Sequence, residues 1–330
     1  MNIAYISCGD CNGISPEIIF KHLENPENGV KYITGIPLSV ASKFEYFSEN
    51  INSFALFGNE SELRDFDFSS LPQFTFVDMG EFESKVGYPT VESGRIAYKS
   101  LICGIELIKS KLVHSIVTAP LSKEALDLAG VKVAGHTEIL TKSDGKSLSA
   151  MYFVVDSIRF TPYTIHIPIK DVPSNVVSEK LSDFFALNLE ILRSDFGIIS
   201  PSVAVLGLNP HAGENGIIGK EETEIINSIK KYSNNFYGPF PADGFFAREN
   251  YKNFDLVIGM YHDQVLIPFK MLDKGRGVNF TAGLSFVRTS PDHGTAFDIA
   301  GKGIANSGSF NEAIKLAIEI TNKRGDNVKS

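Results

Sequence analysis

Short apolar bursts alternate with longer amphipathic stretches along most of the chain, the pattern left by strands alternating with helices. The strands it predicts are Ile3–Ser7, Phe74–Asp78, Ser115–Thr118, Met151–Val155, Ile158–Ile165, Val203–Leu208 and Leu256–Met260. The predicted helices are Ser15–Leu23, Val91–Lys111, Ser122–Leu128, Ser178–Arg193, Lys220–Lys231 and Asn311–Lys323. Ser15, followed by Pro16 and Glu17, reads as a helix start: a capping hydroxyl, a proline with no amide to satisfy, then an acid at the positive end. Such alternation predicts an α/β fold with a largely parallel sheet. No internal repeat, low-complexity segment or linker is visible, so two domains would be interwoven.

Composition narrows the class. A chain of 330 residues, 43% hydrophobic and 21% charged, is long enough for two cores and ordinary for a globular protein. A net charge of −8 argues against nucleic-acid binding through a broad electrostatic footprint. No apolar run is long enough to span a bilayer, and the first residues read as a strand rather than a signal peptide. The expected location is the cytosol. Three cysteines, Cys8, Cys11 and Cys103, do not make a disulfide framework. Cys8 and Cys11 have C-x-x-C spacing. A helix beginning after Ser15 could lower a thiol pKa there, and two reduced thiols in a glycine-rich loop is the blander reading.

The candidate chemistry lies mostly in the histidines. Of seven, His22 and His114 stand in polar, helix-like surroundings and read as surface residues. His136, His166, His211, His262 and His293 each fall in a turn or just past a strand, where ligands bind in open α/β sheets. His166, His211 and His262 follow separate strands and could together hold a divalent metal, with Glu214, Asp243 and Asp263 as partners that fix the imidazole tautomer. Histidine is as common a hydrogen-bonding residue as a ligand, so spacing alone leaves both readings open. Lys270, Arg276 and Arg288, with Asn279 and Thr289, could clamp a phosphate or carboxylate. Gly9–Gly13, before the first helix, could hold an anion. No Rossmann fingerprint, Walker A lysine or G-x-S-x-G elbow is present.

Taken together, the motifs resemble the 4-hydroxythreonine-4-phosphate dehydrogenase family of vitamin B6 biosynthesis. The resemblance runs over nearly the whole chain. It is carried by Gly9-Asp10 through Glu17, Thr118–Lys123, Gly135-His136-Thr137-Glu138, Gly207–Glu214, Gly238–Asp243, Tyr261-His262-Asp263-Gln264, Arg276–Asn279 and Arg288–Ala296. The stretch from His293 to Asn306 also resembles the adenine-binding loop of isopropylmalate and isocitrate dehydrogenases. The resemblance implies an isocitrate/isopropylmalate dehydrogenase-like α/β fold, with two interwoven domains (1–145 plus 285–330, and 146–284) and a cleft between them. It implies NAD- or NADP-dependent oxidation of 4-phosphooxy-L-threonine to a 3-keto acid, which loses CO2 to give 3-amino-2-oxopropyl phosphate. It places a divalent metal (zinc, magnesium or cobalt) on His166, His211 and His262, and substrate on His136, Thr137, Lys270, Asn279 and Arg288. Cofactor falls on His293, Gly294, Thr295, Ala296 and Asn306. It further implies a homodimer with the active site at the subunit interface. The general base stays open among Asp243, Asp263, Lys270 and His136. The first loop departs from the family pattern at Cys11, Asn12 and Ser15. A paralogous dehydrogenase of threonate or erythronate 4-phosphate is the nearest alternative. A metal-dependent phosphoester hydrolase would leave His293–Asn306 without a purpose, and a binding protein would not need the histidines.

Overall fold

The computed structural model describes residues 2–132, 135–146, 148–232 and 234–329, with backbone only for 327–329. The chain divides into two compact units: Met1–Lys146 with Leu284–Asn322, and Ser147–Gly283 with Lys323–Ser330. In chain order the strands are β1 (Asn2–Ser7), β2 (Val30–Ile36), β3 (Ala55–Phe57), β4 (Phe74–Asp78), β5 (Ser115–Thr118), β6 (Ala150–Val155), β7 (Ile158–Thr164), β8 (Val203–Leu206), β9 (Phe236–Phe240), β10 (Leu256–Tyr261), β11 (Val278–Ala282) and β12 (Val287–Pro291). The helices that matter below are α1 (Ser15–Leu23), α2 (Val91–Lys109), α3 (Lys123–Leu128), α4 (His136–Asp144), α5 (Ser178–Ser194), α6 (Glu222–Lys231), α7 (Ala242–Ala247), α8 (His262–Asp273) and α9 (Gly308–Lys329).

In the first unit the strands lie in the order β3-β4-β2-β1-β5-β12, and every pairing is parallel. Strands covered on both faces read as continuous apolar runs; Ala4, Tyr5 and Ile6 are almost wholly buried. In the second unit the order is β11-β6-β7-β10-β8-β9. Here β7, β10, β8 and β9 are parallel, while β6 runs antiparallel to both its neighbours. The core of this unit gathers Phe153, Phe160, Leu206, Phe245, Val257, Val265 and Phe269.

Strands β2, β3, β9, β11 and β12 lie outside the apolar pattern. Lys31 interrupts β2, and its ammonium is satisfied by the Phe68 and Ser69 carbonyls. A Gly-Pro pair interrupts β9, where the Gly238–Pro239 peptide is cis. Asn279 and Arg288 interrupt β11 and β12, so the candidate chemistry itself obscured the strands that carry it.

Two local readings need correction. Ser15 is not the helix cap: Ile14 holds that position without a side-chain bond, and the Ser15 hydroxyl donates to the Pro120 carbonyl at 2.8 Å. Pro16 and Glu17 do occupy the first turn. His22 is not a surface residue but is 2% exposed. It packs edge-on against Tyr32 and Phe310, with Nδ1 3.0 Å from Asn311 Oδ1. Burial lowers its pKa to about 4, so it is neutral in the fold.

Candidate active site

The candidate residues divide between the units. In the first, the loop after β1 turns at Gly9, where φ is +60° and a Cβ would meet the Pro120 carbonyl oxygen at 2.2 Å. Only glycine fits there. The loop amides have acceptors inside the protein: Asp10 N donates to Pro120 O, Asn12 N to Asp10 Oδ1, Gly13 N to Asp10 O and Ile14 N to Thr295 O. Ser93 donates to the other Asp10 oxygen at 3.0 Å, and burial raises the Asp10 pKa. One of these acceptors is the chain's own carboxylate, Asp10. The loop acts as a scaffold, bonded directly to the loop that begins at His293.

Cys8 and Cys11 are both buried, free thiols. A hydrogen bond with Cys8, together with burial, raises Cys11 well above the ordinary thiol range. This reverses the lowering that the nearby helix start suggested, and it disfavours a reactive thiolate.

Arg288 is held on β12 beside β5 and is 3% exposed. The Thr118 hydroxyl, at the end of β5, lies 3.2 Å from Arg288 Nε and 2.7 Å from Nη2. Burial lowers the guanidinium to about 9, still charged at neutral pH. A buried cation beside a neutral hydroxyl is a strong electrostatic host for an anion. His136, the first residue of α4, is pushed well below the ordinary imidazole range by burial and by the Arg288 charge. It is a neutral hydrogen-bonding group, half-buried like its neighbour Thr137.

The loop from His293 to Asn306 follows β12. Two side chains one turn apart on α1 hold it from beneath. Glu17 accepts from Gly301 N at 2.6 Å and Ala305 N at 3.4 Å. Lys21 donates to the Gly303 and Ala305 carbonyls at 2.8 and 2.7 Å. Ala296 takes a left-handed φ of 43°. Asn306 Oδ1 accepts from Gly308 N at the start of α9, and His293 Nδ1 lies 3.1 Å from Gly294 O. A Cβ at Gly294 would meet nothing within 4 Å. The loop is thus anchored below and open above, which suits a flat ring laid on small residues.

In the second unit β7 and β10 are parallel neighbours, with Thr164 opposite Tyr261. His166 and His262 leave the ends of these strands together. Their ring centroids are 6.0 Å apart, tilted at 40°. They line a cavity of about 370 Å³ with Thr164, Tyr261 and Asp263. A ligating nitrogen sits about 2.0–2.1 Å from zinc, so two imidazoles on one ion have centroids roughly 5–6 Å apart. The observed separation lies at the upper end of that range. His262 Nδ1 is 2.7 Å from Asp263 Oδ1. An ionised carboxylate only accepts, so Nδ1 carries a hydrogen, and Nε2 is the nitrogen left to reach a metal.

His211 stands apart from this pair. It lies in an exposed turn where His211, Ala212, Gly213, Glu214 and Asn215 all take left-handed φ/ψ, a conformation costing about 1–2 kcal/mol per L-residue. Among the described residues, no three His, Cys, Asp or Glu side chains form a group that could hold a metal. Asp243 is exposed in the first turn of α7. Lys270 is half-exposed and 3.9 Å from Asp273. Asn279 lies on β11 opposite Phe153, and Arg276 pairs with Asp156 at 3.0 Å. Sequence reasoning missed Thr118, Glu17 and Lys21 as supporting groups. Their signal, polar residues ending a strand or spaced one helical turn apart, is visible only once a partner is known.

Comparison with known proteins adds independent findings. The model of the family described as "Pyridoxal phosphate biosynthetic protein PdxA" matches residues 19–317. A 4-hydroxythreonine-4-phosphate dehydrogenase of Bacteroides thetaiotaomicron is 37% identical, over 97% of this chain and 88% of that protein. A protein of Oceanobacillus iheyensis, whose name proposes a D-threonate 4-phosphate dehydrogenase, is 38% identical over 96% of each chain. The crystal structure of the 4-hydroxythreonine-4-phosphate dehydrogenase of Klebsiella pneumoniae superposes with a TM-score of 0.79 at 32% identity, covering 97% of this chain and 99% of that one.

Proposed function

The chain belongs to the PdxA family of pyridoxal phosphate biosynthetic proteins, and from that membership we propose that it is a 4-hydroxythreonine-4-phosphate dehydrogenase. It is an oxidoreductase that converts 4-phosphooxy-L-threonine, with NAD or NADP, to the 3-keto acid that decarboxylates to 3-amino-2-oxopropyl phosphate. The observation that carries this reading is the extent of the match, which takes in every candidate residue from His136 to Asn306.

Each group of residues then has a task. Arg288 grips an anionic end of the substrate with a charge kept strong by burial. His136, neutral beside it, offers a hydrogen bond without competing charge, and Thr137, Asn279 and Lys270 complete the substrate contacts. His166 and His262 hold a divalent ion (zinc, magnesium or cobalt), and His211 completes the set. Asp263 fixes the His262 tautomer, which favours Asp243 or Lys270 over Asp263 as the proton acceptor. His293, Gly294, Thr295, Ala296 and Asn306 receive the adenine end of the cofactor. When bound, the ion supplies Lewis-acid polarisation and the nicotinamide the hydride chemistry. The protein's own share is orientation and charge placement. We place the enzyme in the cytoplasm, as a homodimer with the active site at the subunit interface.

A second reading is favoured by the Oceanobacillus relative: oxidation of a sugar-acid phosphate, which shares the phosphate and metal contacts and lacks the amine. Steady-state NADH production with 4-phosphooxy-L-threonine, D-threonate 4-phosphate and D-erythronate 4-phosphate separates the two. The highest kcat/KM is expected with the amino acid. A clear preference for either sugar acid would move the substrate, and no NADH from any of them would bring the hydrolase reading forward.

A further inference from the structure

We propose that Lys123 is a further substrate-binding residue, a second cation beside Arg288 for the phosphate of the substrate, an inference that rests on the substrate reading above. Lys123 opens α3, in the segment that follows the Thr118 hydroxyl lying against Arg288. Its backbone is fixed. Ser122 caps the helix by accepting from Ala125 N at 3.1 Å, and α2 packs so closely on this turn that a Cβ at Gly94 would collide with the Ala125 carbonyl. The side chain leaves that fixed root and crosses Gly135, just before α4. A Cβ on Gly135 would meet Lys123 Cε at 3.5 Å and nothing else within 4 Å. Gly135 takes a φ of +152°, open to glycine and strained for other residues, so the backbone stays bare where the lysine passes. His136 is the next residue, and the Arg288 charge acts on it. Lys123, His136 and Arg288 therefore form one cluster in the first unit.

Charge explains why a second cation belongs there. A phosphate monoester carries about −1.5 to −2 charges at neutral pH. Among the substrate contacts assigned in this unit, His136 is neutral, Thr137 is a hydroxyl, and Arg288 supplies a single positive charge. One cation balances a carboxylate but leaves a phosphate partly unbalanced, so the phosphate is the group that calls for another. Lys123 suits the task. Other lysines of this unit, Lys21, Lys31 and Lys99, are bonded to backbone carbonyls. The Lys123 ammonium has no hydrogen bond or ion pair among the described residues. The residue types divide the work: Arg288, buried and planar, fixes direction, while Lys123 adds a point charge on a flexible stem.

The test is equilibrium binding of inorganic phosphate by titration calorimetry, with KM for 4-phosphooxy-L-threonine and for NAD measured alongside, on full-length wild type and variants. Lys123→Met removes the charge at nearly constant length, and Lys123→Arg keeps a charge. Lys109→Met, in the last turn of α2, removes an exposed charge elsewhere in the unit as a control. We expect Lys123→Met to weaken phosphate binding and to raise the KM for the phosphorylated substrate, each by about ten- to hundred-fold, as for a lost hydrogen bond to a charged group. The KM for NAD and the unfolding midpoint should stay close to wild type. Lys123→Arg should bind phosphate more tightly than Lys123→Met, and Lys109→Met should bind it as wild type does. Wild-type phosphate affinity in Lys123→Met would overturn the inference, whatever the KM. So would a wild type that binds no phosphate, a loss matched by Lys109→Met, or no difference between the two Lys123 variants. A wild type that binds phosphate through Lys123 but makes no NADH from any phosphorylated substrate would overturn the substrate reading and leave the phosphate site standing.

Discussion

The two groups of candidate residues are built differently. In the first unit the candidate groups are held by the protein itself: Arg288 is buried against Thr118, and the His293–Asn306 loop is fastened by Glu17 and Lys21. In the second unit the histidine pair is open to solvent on one side, and His211 waits in an exposed left-handed turn. The contrast matches what each is proposed to bind. A phosphate or an adenine ring makes many weak contacts, and affinity comes from holding those contacts ready. A divalent ion brings its own large bond energies, which can draw a strained turn into place. Pre-organisation is thus concentrated where the ligand contributes least.

Substitutions in the two groups should separate cleanly. The largest effect is expected from His262→Ala. It should lose zinc and turnover together, by more than the roughly 100-fold typical of removing a group that only supports a ligand, while the metal-free protein unfolds as wild type. Zinc content at wild-type level would break the metal assignment. Arg288→Met should keep its zinc and raise the KM for phosphorylated substrate by about 100- to 1,000-fold, as expected for truncating a buried charged contact. An unchanged KM would show that Arg288 does not face substrate. Glu17→Ala should act on the cofactor alone. The KM for NAD should rise about tenfold, the scale of a hydrogen bond to a charged group, with zinc affinity unaltered. A wild-type KM for NAD would remove Glu17 from the account.

The smallest effect concerns stability. The His22 pKa is about 4 in the fold, against about 6.5 in an unfolded chain. The unfolded state therefore binds the extra proton first. Stability is full above pH 6.5 and is lost as pH falls toward 4, by on the order of 3 kcal/mol when the fall is complete. His22→Gln should flatten the dependence of the unfolding midpoint on pH across that window. A slope as steep as wild type would assign acid sensitivity to other groups.

Much of this was legible in the chain. The strands buried on both faces announced themselves as apolar runs, as at Phe74–Asp78 and Ser115–Thr118. Strands β11 and β12 did not, because Asn279 and Arg288 break the run that would mark them. The histidines were legible as residue types placed after strands, but the separation of His211 from His166 and His262 was not. It depends on the backbone of a turn whose left-handed conformation no propensity favours. The supports were the least legible. Glu17 and Gly301 are 284 positions apart. His22 misled for the same reason: polar neighbours in sequence said nothing of Tyr32 and Phe310 in space.

The most direct test of the account is NADH formation from 4-phosphooxy-L-threonine by the purified protein, with released carbon dioxide measured in the same reaction. We predict NADH and carbon dioxide in equal amounts, both abolished by EDTA and both restored by added zinc, cobalt or magnesium. NADH formation that EDTA leaves untouched, or none under any metal, would contradict it.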